Sequence, residues 1–167
     1  MISTWQGRAR RAAAIIMLAT AAAVVWAQTA DPYSRWESVL ARFVNERGEV
    51  DFRTLARERS DLDAFLENIA RTSPRSHPEL FANRESKIAY SINAYNALAM
   101  FNVIDTGFPA RLSGLFKIKF FGFRKFTVGG ERMTLYSLEN DVIRPLGDDR
   151  VHFALNCMAA GDRKSVV

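Results

Sequence analysis

Cys157 is the only cysteine in the chain, and His152, one of two histidines, lies five residues before it. A thiolate activated by a nearby base is the usual device of nucleophilic catalysis, so these two side chains form the candidate catalytic pair. The competing reading of Cys157 is a small buried hydrophobe. Val151 to Cys157 is apolar and reads as a buried strand. Five residues along a strand span roughly 16 Å and point the two side chains to opposite faces. They meet only if the strand ends before Cys157. On a strand His152 shares a face with Ala154 and Asn156, and a hydrogen-bonded structural histidine facing Asn93 or Asn96 is the simpler role.

A second group of candidates is amide and charged. Asn93, Asn96 and Asn102 stand among large hydrophobes in the run Ile88 to Ile104. Buried amides need partners from neighbouring elements, so this run is either a structural keystone or one wall of a binding site, with Asn93 and Asn96 as its polar groups. Glu139 and Arg144 are five residues apart on a short helix. Either can reach across to the asparagines, and the plain alternative is a solvated ion pair or cap. His77 sits in a polar turn and receives no role. Two histidines and one cysteine give no metal-ligand spacing, and Gly129-Gly130 belongs to a hairpin rather than a phosphate loop, so no metal or cofactor is expected.

These side chains must be held by helices and a small sheet. Tyr33 to Val44 carries Trp36, Val39, Leu40 and Phe43 at helical spacing, and Asn45 to Gly48 ends it. Asp51 is a natural N-cap for a second helix that buries Phe52, Leu55, Leu62, Phe65, Leu66 and Ile69, with Ser60-Asp61 a place for a break. Thr72 to Pro78 is a polar turn. Asn83 caps the core helix, which stops at Asp105-Thr-Gly-Phe-Pro109. Lys117, Lys119, Arg124 and Lys125 alternate with phenylalanines between Leu112 and Phe126. That segment is expected to bury its rings and turn its cations to water, with contact between Lys117–Lys125 and a membrane surface as the functional alternative. Lys125 to Val128, Gly129-Gly130 and Glu131 to Thr134 spell a tight hairpin, after which Thr134 caps a short helix from Leu135 to Ile143, ending before Pro145. The predicted fold is α+β: N-terminal helices and a long central helix packed on a small antiparallel sheet begun by this hairpin and the His152 strand.

The chain has 167 residues, 49% hydrophobic and 11% aromatic, which suits one globular domain. Its net charge of +5 includes Arg8, Arg10 and Arg11, which lie in a leader. Without them 20 of the 23 basic residues face 18 acidic ones, leaving little electrostatic reason for a nucleic-acid partner. Met1 to Ala27 reads as a cleaved secretory signal: an arginine-bearing start, an uncharged run from Ala12 to Trp26, and small or modest residues, Val25 and Ala27, at the minus-three and minus-one positions of a cut preceding Gln28. The run is shorter than the roughly 20 residues that span a bilayer. Export to the periplasm or beyond the cell is expected, with no integral span after cleavage.

Four ordered blocks carry a family resemblance: Ile92-Asn-Ala-Tyr-Asn-Ala97, Phe126-Thr-Val-Gly-Gly130, Leu138-Glu-Asn-Asp-Val-Ile-Arg-Pro-Leu-Gly147 and His152-Phe-Ala-Leu-Asn-Cys157. From about Phe43 to Gly161 the chain resembles the bacterial and plant domain of unknown function 547 (DUF547). The resemblance implies a loose kinship with the papain and transglutaminase-like fold. It further implies that Cys157 is followed by a Gly-Cys-Pro and roughly a hundred more residues, a length typical for completing one core. Here Gly161 leads instead into Asp162-Arg-Lys-Ser-Val-Val167, which matches one frame of a common sequencing adapter and is expected to be non-native. Residues 28–161 are then the N-terminal portion of the domain, incomplete at the C-terminus. The family cysteine at the position of Asp162 offers Cys157 a disulfide partner in an oxidising compartment. The expected function is an exported DUF547 domain acting as a periplasmic binding or envelope-associated module of unknown ligand. The alternative is a cysteine-dependent hydrolase or acyl transferase of papain or transglutaminase-like type.

Overall fold

The structure is a computed structural model that describes residues 31–109 and 113–155. The leader 1–27, Leu112, Asn156, Cys157 and the tail 162–167 lie outside the described residues. The chain divides into two compact units at Pro32, and the elements below belong to the second, apart from Pro32 itself.

Two amphipathic helices lead into the core helix. In α1 (Pro32–Phe43) Trp36, Val39 and Phe43 fall on one face and are buried, while Leu40 at the edge of that stripe is partly open. Asn45 closes the turn by accepting hydrogen bonds at Oδ1 from the N–H groups of Arg47 and Glu49. Asp51 caps α2 (Phe52–Arg57), accepting from Thr54 N at 3.0 Å and Thr54 Oγ1 at 2.7 Å. The helix breaks at Glu58-Arg59 and resumes as α3 (Ser60–Arg71), one residue from the expected interruption. Trp36 of α1 stacks on Phe65 of α3 with ring centroids 5.3 Å apart.

The core helix is α4 (Arg84–Asp105), about 33 Å long at 1.5 Å per residue. Asn83 and Ser86 form a capping box: Asn83 Oδ1 accepts from Ser86 N at 2.8 Å, and Asn83 N donates to Ser86 Oγ. At the other end Gly107 takes a positive φ of 77°, and Pro109 follows. Buried residues occur all round α4, among them Tyr90, Ala94, Tyr95, Leu98, Met100 and Val103. A helix apolar on every side is stable only when covered on every side, which makes it the axis of the fold.

After α5 (Gly114–Gly122), strands β1 (Lys125–Val128) and β2 (Glu131–Thr134) pair antiparallel with Phe126 opposite Met133 and Val128 opposite Glu131. Gly129 and Gly130 supply the positive φ angles of the two-residue turn. That turn also finishes α3: Gly129 N donates to Ile69 O and Gly130 N to Ala70 O, both at 2.8 Å. Tyr90 Oη donates to Thr72 O at 2.6 Å, and burial pushes its phenol pKa well above the ordinary value. Two of the last carbonyls of α3, which have no partner within the helix, are thus met by the turn, and the phenol meets the carbonyl of the residue that follows the helix.

Thr134 caps α6 (Leu135–Ser137), accepting from Ser137 N at 3.0 Å. The helix expected through Ile143 does not stay α-helical. It widens to a π turn over Leu138–Ile143, tightens to a 3₁₀ turn over Arg144–Leu146 and ends at Gly147 with φ 72°. Arg144 N donates to Glu139 O, the bond of the wider turn. Pro145 cannot donate an N–H, so the chain leaves the regular ladder there.

Two expectations are corrected. The sheet of the described residues has two strands, and Val151 to Ala154 is a helical turn, α7 (Val151–Ala154), rather than a third strand. Asp148 holds the turn that precedes it. Its carboxylate accepts from Arg150 N at 3.1 Å and from the Arg150 guanidinium at 2.9 and 2.6 Å, and these bonds lower its pKa to about 2. Val151 N then donates to Asp148 O and Leu155 N to Val151 O. Second, the basic aromatic segment folds as α5 and buries only part of its apolar set. Phe120 is enclosed, Phe121 is half-buried, and Leu115, Phe116, Ile118 and the following Phe123 are exposed. The α+β class stands.

Two outcomes follow from these contacts. A Cβ on Gly129 would lie 2.0 Å from Ser73 Oγ and 2.5 Å from Ser73 Cβ, whereas one on Gly130 meets nothing within 4 Å. Gly129→Ala is expected to cost roughly 2–3 kcal/mol in denaturant unfolding, and Gly130→Ala only about 1 kcal/mol from its left-handed φ. Asp61 joins α3 to α1, accepting from Arg35 Nη1 at 2.7 Å and Ser38 Oγ at 2.8 Å, first the arginine and then the serine lowering its pKa. A lowered folded pKa means stabilisation that is present above the unfolded value of about 3.9 and is lost as pH falls through the folded value. Asp61→Asn should therefore lower the melting temperature at pH 7, by at most about 1 kcal/mol of stability, and the gap to the parent should close below about pH 4.

Candidate functional site

The asparagines of α4 act as three separate staples. Asn93 Oδ1 accepts from Trp36 Nε1 at 3.1 Å, tying α4 to α1. Asn96 Nδ2 donates to Ala154 O at 3.0 Å, holding the end of α7. Asn102 Nδ2 donates to Phe120 O at 3.0 Å, fixing α5, while its own Oδ1 is buried with no hydrogen-bond partner among the described residues. Asn93 and Asn96 line a groove of about 140 Å³ with Trp36, Leu40, Met100 and Phe153.

On the other side of Leu155 lies a larger cleft of about 480 Å³. Its floor is Tyr95 of α4, Phe121 of α5 and Leu155, and its rim carries Lys117, Tyr136, Glu139 and His152, with Ile118 and Gly122 completing the α5 wall. Tyr95 and Leu155 are buried, whereas Lys117, Ile118, Tyr136 and His152 are exposed. The arrangement is an apolar trough edged by an ammonium, an imidazole, a carboxylate and a phenol.

The structure separates residues the sequence grouped and joins others. His152 does not face Asn93 or Asn96: it is exposed and borders the cleft, while the asparagines border the groove. The reason is the helical turn, which replaces the alternation of a strand with α-helical spacing. Glu139 and Arg144 do not reach across to the asparagines either. They pair with one another, Arg144 Nη2 donating to Glu139 Oε1 at 2.8 Å, beside the backbone bond of the same two residues. Glu139 and His152 come together on one rim, and Cys157 lies outside the described residues. Among the described residues no three His, Cys, Asp or Glu side chains gather into a group that could hold a metal ion.

Sequence reasoning missed Tyr95, Tyr136, Gly122 and Leu155 as cleft residues. Tyr95 was visible as the large polar-tipped ring between Asn93 and Asn96, and Tyr136 stands three residues before Glu139, one helical turn away. Leu155 gave no signal of its own.

No curated protein matches the chain, and no solved structure does. Among protein families, the one described as "Protein of unknown function, DUF547" matches residues 80–164, half of the 167-residue chain. That stretch runs from the turn before α4 through both walls of the cleft, and the chain belongs to the DUF547 family.

Proposed function

We propose that the protein is an exported DUF547 module that binds a small, mainly apolar molecule in the cleft between α4, α5 and α7. The cleft carries this reading. Its volume of about 480 Å³ falls within the roughly 300–1,000 Å³ of small-molecule sites, and few polar groups edge an apolar floor, as such sites require. Lys117 and His152 offer donors to a polar or anionic end of the ligand, and Tyr95, Phe121 and Leu155 take its apolar body. Export, periplasmic or secreted location and association with the envelope rest on the Met1 to Ala27 segment. No helix among the described residues is long and apolar enough to cross a membrane.

One observation favours a second reading, a cysteine-dependent hydrolase or acyl transferase. The extended strand that would have held His152 and Cys157 apart is absent over Val151–Ala154, and a helical rise of about 1.5 Å per residue replaces one of about 3.3 Å. On this reading Cys157 is the nucleophile and His152 its base. Rapid alkylation of Cys157 by iodoacetamide near neutral pH, slowed at least tenfold by His152→Ala, is its signature.

Binding in the cleft is tested by filling it. A Cβ on Gly122 meets nothing within 4 Å, so Gly122→Leu adds bulk to the α5 wall without a backbone clash. The full chain is expected to bind the fluorescent sulfonate 1-anilinonaphthalene-8-sulfonate at one saturable site. Gly122→Leu should weaken that binding by roughly tenfold or more with the far-ultraviolet circular dichroism unchanged. Equal binding by both proteins would place the probe elsewhere and remove the support for this site.

A further inference from the structure

We propose that the outer face of α5 docks on an anionic bilayer surface. The inference goes beyond ligand binding in the cleft, although Ile118 and Gly122 belong to both.

The charge of this region is one-sided. From Thr106 to Gly130 the chain carries Arg111, Lys117, Lys119, Arg124 and Lys125 and not one Asp or Glu. Arg124 is committed to Asp105 and lies over the rings of Phe101 and Phe126. Lys117, Lys119 and Lys125 form no ion pair among the described residues.

The apolar residues of the helix are two-sided. Phe120 points into the core at 3% exposure, with Phe116 and Phe121 beside it. Leu115, Ile118, Lys119 and Gly122 follow the i, i+3, i+4, i+7 spacing of one face, which is the opposite one. On it Leu115 is 77% and Ile118 56% exposed, and Phe123 just beyond the helix is 71% exposed. Single exposed hydrophobes are ordinary on a protein surface, but a contiguous apolar stripe flanked by unpaired cations marks an interaction surface.

Charge complementarity selects the occupant. Lysines beside Leu and Phe on a surface helix are the pattern of a helix lying in the headgroup layer, where ammonium groups meet lipid phosphates and apolar side chains enter the acyl boundary. With nine residues α5 is far shorter than the roughly 20 needed to span, so it lies in the plane of the surface. Docked this way, the Ile118 and Gly122 edge of the cleft stands next to the lipid.

The test is co-sedimentation of the full chain with vesicles of phosphatidylglycerol and phosphatidylcholine, compared with phosphatidylcholine alone. Binding should be at least tenfold tighter on the anionic vesicles and fall steeply with added salt, because each lysine near such a surface is worth about fivefold. Lys119→Glu should weaken it by more than that factor. The double variant Leu115→Ser with Phe123→Ser should lose most of the binding that survives high salt. None of these three residues lines the cleft, so the Gly122-sensitive probe site should persist in both variants. This keeps a failure of docking distinct from a failure of the cleft. Equal binding to both vesicle types, or unchanged binding by the double variant, would overturn the proposal. So would a dimer seen by sedimentation velocity without lipid and dissolved by Leu115→Ser with Phe123→Ser, since the face would then belong to a second copy of the chain.

Discussion

The packing around the core helix is directed by the need of three amides for partners, one of them, Asn102, fully buried and two, Asn93 and Asn96, half-buried. The helix α4 is apolar on all sides, and hydrophobic burial alone would let its neighbours slide around it, because that force has no direction. Asn93, Asn96 and Asn102 remove this freedom. Each bonds a different element, the indole of α1, the last carbonyl of α7 and the Phe120 carbonyl of α5. A net hydrogen bond is worth only about 1 kcal/mol, but a partner withdrawn from a buried amide costs about 1–3 kcal/mol, so at Asn102, the fully buried one of the three, the penalty for wrong packing exceeds the gain from right packing. Asn102 shows that the accounting is tight: one half of its amide is satisfied and the other is buried without a partner among the described residues.

Much of the fold was legible because short-range chemistry decides it. Asn83, Asp51 and Thr134 each present an acceptor to a free helix N–H, and all three cap as their side chains dictate. Gly129-Gly130 has few options besides the tight turn it makes. The failures lie where an apolar run is short. Periodicity cannot separate a strand from a helical turn over the five residues Val151 to Leu155, and the turn at Asp148 and Arg150 that leads into the helix stands outside the run. In α5 lysine alternates with apolar residues at Phe116-Lys-Ile-Lys-Phe120, a period of two that hides a helix. There a tertiary bond from Asn102 outweighs the local pattern.

The candidate site was legible in its parts and not in its grouping. His152, Glu139, Asn93 and Asn96 were singled out by residue type, yet whether they share one wall depends on the twist of α7 and the widened turn before it. A change from strand to helix at one four-residue element moves His152 from the asparagine groove to the cleft. Four segments build that cleft, and the sequence drew attention to residues in them by type and charge, not to the concavity they form together.

The two clasps around α4 bear on how the chain reaches this state. The Arg84 guanidinium donates to Leu146 O, 62 residues away, and to Gly147 O, while the hairpin turn closes on the end of α3 across a similar stretch. Both closures bracket the core helix, so neither can form until α4 lies between its neighbours. Loop-closure entropy rises only slowly with length, by about 0.6 kcal/mol per doubling, but it must be met before such distant contacts return anything. A mostly helical domain thus carries closures over some sixty residues, and non-local contacts of this kind slow folding relative to helix formation alone.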